Sequence, residues 1–182
     1  YLNNGITLHT DSTYFAEPPH LQSFGQIYKT KETVGGVNVL CDGVAVARRM
    51  QPEEPEMFAI LCSTPVPTYY CKEGLSFSGA RPVFTVAKKS AGGEASALDV
   101  VAVTMNIYDR SPMNLHPATG LATAADLSLW YRAYHRFQQL CESDEFAQTF
   151  DLPVGDLLFY DNRRMLHART AFSGPRVMAG SY

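Results

Sequence analysis

Two short segments at opposite ends of the chain constrain its fold more than anything between them. Near the start lies Leu8-His9-Thr10-Asp11. Near the end lies Asp161-Asn162-Arg163-Arg164-Met165-Leu166-His167, followed by Arg176. Residues i and i+2 of a strand point to one face, so a strand through His9 and Asp11 aims an imidazole and a carboxylate at one point. For His167 to join them, the fold must bring the end of the chain back to its beginning.

Two His and one carboxylate on one face of a metal leave open positions opposite, the ligand set of non-heme Fe(II) oxygenases. An Arg beyond the second His offers a planar fork to a carboxylate co-substrate. Spacing alone leaves plainer readings open. His9 and Asp11 also read as a hydrogen-bonded core His and a turn Asp, Arg176 as a surface ion pair, and Asn106 as a strand-end cap.

The chain has 182 residues, 46% apolar and 18% charged, with a formal net charge of -3. That length carries one domain with a real core, and that composition is globular rather than disordered. It is not basic enough for a nucleic-acid partner, and no apolar run approaches a membrane span. Cys41, Cys62, Cys71 and Cys141 have no zinc-like spacing and are too sparse for a disulfide scaffold. They read as reduced, partly buried thiols of an intracellular protein. The chain starts without Met, shows no signal-like segment and stops at Tyr182 inside a strand-like run. The expectation is one domain over 1–182, a fragment of a longer protein, incomplete at both ends.

Ile6 and Leu8 alternate against Thr7, a strand entering the His9–Asp11 pair. Leu21 to Tyr28 reads as a strand buried on both faces. Gly35-Gly36 marks a turn or bulge and Val37 to Leu40 a short strand. Asp42-Gly43 opens a helix through Met50. Pro55 starts a second one to Cys62, since proline is tolerated in the first turn. Thr68 to Ala97 reads as irregular, with strands near Phe77 and at Val83 to Val86 and a flexible loop at Ser90 to Ser96. Asp99 to Ile107 is β-branched and apolar, hence a strand. Thr123-x-x-Asp126 resembles a capping box. Behind it Leu127, Trp130, Tyr134, Phe137 and Cys141 recur at helical spacing, with His135 on the surface. Leu157 to Tyr160 is an apolar buried strand, Met165 to Ala168 carries His167, and Arg176 to Tyr182 is the last strand. Many short strands with Gly/Pro turns favour a mainly β fold, a barrel or jelly roll with helical insertions.

Four stretches carry a family resemblance. They are Leu8-His9-Thr10-Asp11-Ser12-Thr13-Tyr14-Phe15-Ala16-Glu17-Pro18, Gly35-Gly36 with Asp42-Gly43, Asn106-x-Tyr108-Asp109-Arg110, and Asp161-Asn162-Arg163-x-x-Leu166-His167-x-Arg169. In this order, along nearly the whole chain, they resemble the Fe(II)/2-oxoglutarate oxygenases of carnitine biosynthesis, trimethyllysine dioxygenase and γ-butyrobetaine dioxygenase, in the wider TauD group. The resemblance implies a double-stranded β-helix, a jelly-roll barrel. It implies His9, Asp11 and His167 as catalytic iron ligands, and Arg176 as the residue that binds the C5 carboxylate of 2-oxoglutarate. Asn38 stands where the family usually has Thr or Ser, and its amide is expected to take over that co-substrate contact. O2 is the other co-substrate. Ascorbate as reductant, a homodimer, and a mitochondrial or cytoplasmic location are implied as well.

The family's substrates carry a quaternary ammonium group. Such a group has no N–H to donate and is held against aromatic faces, each worth roughly 0.5–2 kcal/mol. Tyr1 and Tyr182 match aromatic positions of that cage. Ser12, where the butyrobetaine enzyme has a bulky Tyr, resembles the trimethyllysine branch. So does the short stretch from His167 to Arg176. Asn106, Tyr108 and Arg110 follow that branch too, with Ile107 in place of a second Asn. Asn106 is the expected contact for the substrate carboxylate. The implied activity is hydroxylation of Nε-trimethyllysine at C3 with release of succinate and CO2, the first step toward carnitine. γ-Butyrobetaine oxidation is the alternative, and a non-catalytic jelly-roll binding module is the alternative from another class.

Overall fold

The computed structural model describes residues 3–88, 98–116 and 119–182. In chain order the elements are β1 (Ile6–His9), β2 (Leu21–Lys29), β3 (Val34–Gly35), β4 (Asn38–Asp42), α1 (Gly43–Glu53), α2 (Pro55–Ser63), β5 (Val66–Lys72), β6 (Leu75–Arg81), β7 (Phe84–Lys88), β8 (Leu98–Val103), α3 (Ala124–Cys141), β9 (Ala147–Phe150), β10 (Leu157–Asp161), β11 (Met165–Arg169), β12 (Phe172–Ser173) and β13 (Arg176–Ser181). All strand pairs are antiparallel. A four-stranded sheet runs β1-β11-β4-β9 and a three-stranded sheet runs β10-β2-β13. The end of the chain therefore returns to its start twice, with β11 between β1 and β4 and β13 beside β2.

The helices sit where the pattern places them. Asp42 caps α1 by accepting from the Ala45 N–H at 3.0 Å. The same carboxylate receives the Arg164 guanidinium at 2.6 Å, which ties the helix start to the turn before β11. Pro55 opens α2 at a position where its missing N–H costs nothing. Thr123 and Asp126 form a full capping box at the start of α3. Trp130 and Phe137 of α3, Met50 of α1, Leu61 of α2 and Phe84 of β7 are fully buried together. The Phe84 ring meets Phe137 edge-on at 4.9 Å. Leu8 and Leu166 belong to the same core. Strand residues alternate sides, so burying Leu8 and Leu166 against the helices turns His9 and His167 to the opposite face of the sheet.

Several expectations are corrected. On β2, Leu21 and Ile27 are 65% and 58% exposed, while Gln22 and Gln26 are each 1% exposed. On β10, Leu157 and Phe159 are exposed and only Tyr160 is buried at the far end. Among the described residues the three-stranded sheet is covered on one face only. That face looks toward the centre of the molecule, so Leu21 and Ile27 lie outside while Gln22 and Gln26 face inward together with Phe24, whose ring is 6.0 Å from that of His167. The third correction is Thr68 to Ala97. Its first half is a regular hairpin, with β5 and β6 paired from Val66↔Arg81 to Lys72↔Leu75. Its turn holds Glu73 and Gly74 at φ of 55° and 79°. Such primed turns usually announce themselves as Asn-Gly or Asp-Gly, and Glu-Gly hides the signal. The predicted loop at Ser90 to Ser96 lies outside the described residues. The strand expected through Ile107 ends at Val103.

The structure is thus mainly β with three named helices. Among the described residues the strands form separate sheets of four, three and two strands rather than one closed barrel. All four cysteines are free, with Cys41 and Cys141 buried. No described helix is long and apolar enough to cross a membrane. Replacing Thr123 by Ala removes the acceptor for the Asp126 N–H, 3.2 Å away. It is expected to lower unfolding stability by about 1 kcal/mol, read as a lower urea midpoint at unchanged slope.

Candidate active site

His9 of β1 and His167 of β11 are direct partners in their ladder. Their rings lie 4.2 Å apart, tilted by 45°. Asp11 reaches the same point by a route the strand pattern does not describe. β1 ends at His9, and Asp11 sits in a bend held from outside. Asn162 accepts from the Asp11 N–H at 2.8 Å and donates to the Asp11 carbonyl at 3.2 Å. It also donates to the Pro19 carbonyl at 3.0 Å. Thr10 is pinned in turn: its N–H donates to the Met105 carbonyl at 2.7 Å, and its hydroxyl accepts from the Met105 N–H at 3.1 Å. Ser12 then takes a φ of 57°, turning the chain away.

One nitrogen from each imidazole and one Asp11 oxygen lie within 4.8 Å of one another. His9 Nδ1 is 2.8 Å from the Thr7 carbonyl. A carbonyl only accepts, so Nδ1 carries the proton and the Nε2 lone pair of the neutral ring faces Asp11 Oδ1 at 3.2 Å. Two lone pairs at that distance repel, and a proton or a cation between them reverses the sign. His167 Nε2 stands 3.7 Å from Asp11 Oδ2. Burial, together with His9, pushes the His167 imidazole down to about 3, against the pull of Asp11. Burial works to raise the Asp11 carboxyl. A proton on His9 Nε2, which turns that repulsion into a hydrogen bond, positive charge on either imidazole and the Tyr182 hydroxyl outweigh it and hold the group well below the usual carboxylate range. The result is an ionised carboxylate beside a neutral imidazole, the protonation states that a divalent metal requires of its ligands.

A second polar corner lies along the same inner faces. Arg176 Nε donates to Gln26 Oε1 at 2.9 Å. Its guanidinium lies 5.5 Å from the Phe172 ring, and that of Arg169 lies over the same ring at 4.6 Å. Gly36 has a φ of 71°, which favours glycine, and a Cβ there would come within 2.6 Å of Arg176 Nη1. Arg176 Nη1 and the amide nitrogen of Asn38 are buried without hydrogen-bond partners. Asn38 pairs directly with Arg169 across β4 and β11. Buried donors left over beside two guanidiniums suit an anionic group.

The other expected site residues are placed as follows. Tyr182, 67% exposed, donates its hydroxyl to Asp11 Oδ2 at 2.8 Å. Ser12 hydrogen-bonds the Tyr14 side chain. Tyr1 lies outside the described residues. Asn106, expected at the substrate carboxylate, spends its Oδ1 and one of its two Nδ2 hydrogens on the local backbone. Its Oδ1 accepts from the Tyr108 and Asp109 N–H groups at 2.9 and 3.3 Å, and its Nδ2 donates to the Thr10 carbonyl at 3.2 Å. Asn106 therefore braces the turn behind the site. Sequence reasoning missed Gln22, Gln26 and Tyr160. Tyr160 sits 5.1 Å from the His167 ring. The available signal was two glutamines four apart on one face of an otherwise apolar strand, a pattern that marks a polar interior.

With this geometry in place, a family model described as "Taurine catabolism dioxygenase TauD, TfdA family" matches residues 1–182. The chain belongs to the TauD, TfdA family. Among its relatives in that family, trimethyllysine dioxygenase of Meyerozyma guilliermondii is 30% identical over 100% of this chain and 43% of its own length. Gamma-butyrobetaine dioxygenase of Pseudomonas sp. strain AK-1 is also 30% identical, over 100% of this chain and 44% of its own. The chain thus spans less than half the length of these curated relatives. The crystal structure of AAD-2 in complex with Mn(II) and N-oxalylglycine shares the fold, with a TM-score of 0.66 at 14% identity over 98% of this chain and 68% of that one.

Two outcomes follow for the TauD-family site. Asn162→Ala strips both backbone bonds from Asp11 and is expected to weaken Mn(II) binding roughly 10–100-fold, measured by calorimetric titration. In chelator, the folded His167 stays neutral while the unfolded one protonates below about pH 6.5. The unfolded state then binds the extra proton, so stability is expected to fall as pH drops from 6.5 toward about 3. His167→Gln should flatten the part of that slope between pH 7 and 5 in urea melts.

Proposed function

We propose that the chain is the catalytic unit of an Fe(II)/2-oxoglutarate-dependent oxygenase that hydroxylates Nε-trimethyllysine at C3. The observation that carries the enzyme class is the convergence of His9, Asp11 and His167 within 4.8 Å. In this reading these three hold Fe(II) in a jelly-roll scaffold. When bound, the iron couples decarboxylation of 2-oxoglutarate to succinate and CO2 with transfer of one oxygen of O2 into a C–H bond.

The protein's own part is positioning. Arg176, with its unsatisfied Nη1, receives the distal carboxylate of 2-oxoglutarate through its fork. Asn38 adds the amide donor that is left over beside it. The substrate side is aromatic. Tyr182 is tethered to Asp11 with its ring largely exposed. Tyr108 stands edge-on to His9 at 6.2 Å. Tyr1 is the further expected wall. Such faces attract a quaternary ammonium that no hydrogen-bond acceptor can hold. The small Ser12 leaves room for the amino-acid head of trimethyllysine. γ-Butyrobetaine stays as the second reading, because a relative named for it is as similar as the one named for trimethyllysine.

The test supplies Fe(II), 2-oxoglutarate and O2 with trimethyllysine and γ-butyrobetaine in parallel, and reads products by mass spectrometry. Gain of one oxygen on trimethyllysine with equal succinate is the expected result, and turnover of γ-butyrobetaine alone transfers the protein to the second reading. His167→Ala is expected to abolish both products. Arg176→Leu removes a charge-assisted fork worth about 2 kcal/mol, so the KM for 2-oxoglutarate should rise roughly 30-fold while Mn(II) binding is retained.

A further inference from the structure

Asp11 has two oxygens, and the fold treats them differently. Oδ2 receives the Tyr182 hydroxyl at 2.8 Å and the side-chain amide of Gln22. Oδ1 faces His9 Nε2 at 3.2 Å, and His167 Nε2 stands farther off, 3.7 Å from the already engaged Oδ2. Gln22 is 1% exposed, on the inward face of β2 and directly opposite Tyr160 of β10. Because the atom of Gln22 that touches Asp11 meets a carboxylate oxygen, it must be the donor Nε2. That leaves Gln22 Oε1 buried with no partner. A buried amide that leaves its own acceptor unsatisfied is held in place by something stronger, and here that is a charge-assisted bond to an ionised carboxylate. The Asn162 clasp already fixes the Asp11 backbone on both sides. Only the side-chain torsions of Asp11 stay free, and the contacts to Oδ2 remove that freedom.

We infer that Gln22, helped by Tyr182, is a positioning residue that occupies Asp11 Oδ2 and so makes Asp11 a one-oxygen ligand through Oδ1. The inference rests on the metal reading of His9, Asp11 and His167. A carboxylate that chelates through both oxygens takes one more coordination position. Each position so taken is lost to the co-substrate or to O2. The two donors on Oδ2 therefore guard the open side of the site, Gln22 from a buried position and Tyr182 through its hydroxyl while its exposed ring stays available to substrate.

The test uses Gln22→Met, similar in length but without a donor, together with Tyr182→Phe and the double variant. Mn(II) binding is measured by titration, Co(II) coordination by the intensity of its visible absorption, and 2-oxoglutarate binding to the Mn(II) form by calorimetry. The expected result for Gln22→Met is retained or tighter Mn(II) binding, an altered Co(II) spectrum, and about 10-fold weaker 2-oxoglutarate binding. Tyr182→Phe should shift the same readings in the same direction by less, and the double variant by more. Wild-type spectra and wild-type 2-oxoglutarate affinity in folded variants overturn the inference. Weaker Mn(II) binding with an unchanged Co(II) spectrum overturns it too, since that is the mark of general support. If Gln22→Met does not fold, Tyr182→Phe, at an exposed position, decides alone. If the wild-type protein binds neither metal, the metal reading falls and this inference with it.

Discussion

The pairing of His9 with His167 across β1 and β11 is the constraint on which the rest of the site depends. A strand pleat has a period of two, so the side of the sheet that the two imidazoles occupy is set by their neighbours. Leu8 and Leu166 are buried among the helices with Trp130, Phe137 and Phe84. Moving either strand by one residue would bring a histidine into that core and turn a leucine toward the polar centre. The helical core therefore does more than stabilise the chain. It fixes the register in which two histidines from opposite ends of the sequence meet.

The third member is held by a different kind of force. Asp11 lies beyond its strand, where no ladder positions it, and buried amides do that work instead. Asn162 closes on its backbone from both sides, and Thr10, Met105 and Asn106 lock the preceding residue. These contacts stay strong because the surroundings exclude water. The same exclusion is costly where a group finds no partner. Arg176 Nη1, the Asn38 amide and His167 Nδ1 are all buried and unsatisfied. Each such group costs about 1–3 kcal/mol, a cost the fold offsets through its apolar core. A bound anion or metal would recover part of it. Orphaned groups also lie elsewhere, Trp130 Nε1 and Glu54 Oε2 among them, so the cost is shared with the rest of the fold.

The outward face of the three-stranded sheet shows the same division of labour. Leu21, Ile27, Leu157 and Phe159 are exposed so that Gln22, Gln26 and Tyr160 can face inward. Hydrophobicity alone predicts the reverse. Gln26 reaches Arg176, and Gln22 reaches Asp11, so a single strand serves both polar corners.

Local pattern in the sequence was enough for the three helices and for most of the strands, whereas for His9, Asp11 and His167 spacing alone left a plainer reading open. Caps, helical periodicity and β-branched runs act over a few neighbours and leave their mark in order along the chain. The motif resemblance, supported at the level of the TauD, TfdA family, added His9, Asp11 and His167 as the proposed ligand set and Arg176 as the proposed co-substrate residue. The hairpin at Glu73-Gly74 escaped because its turn residues are unusual for their conformation. Which face of β2 and β10 is buried could not be read either, since both alternations carry apolar residues and only the neighbouring sheet selects between them. The local bonds of Asn106 were hidden for a related reason. A buried amide binds whatever the fold brings within about 3 Å, and the fold brought Thr10 and the following turn rather than open space. Residue chemistry and short-range spacing were thus determined by the sequence itself. The direction in which each polar side chain spends its hydrogen bonds was decided only when distant strands came together.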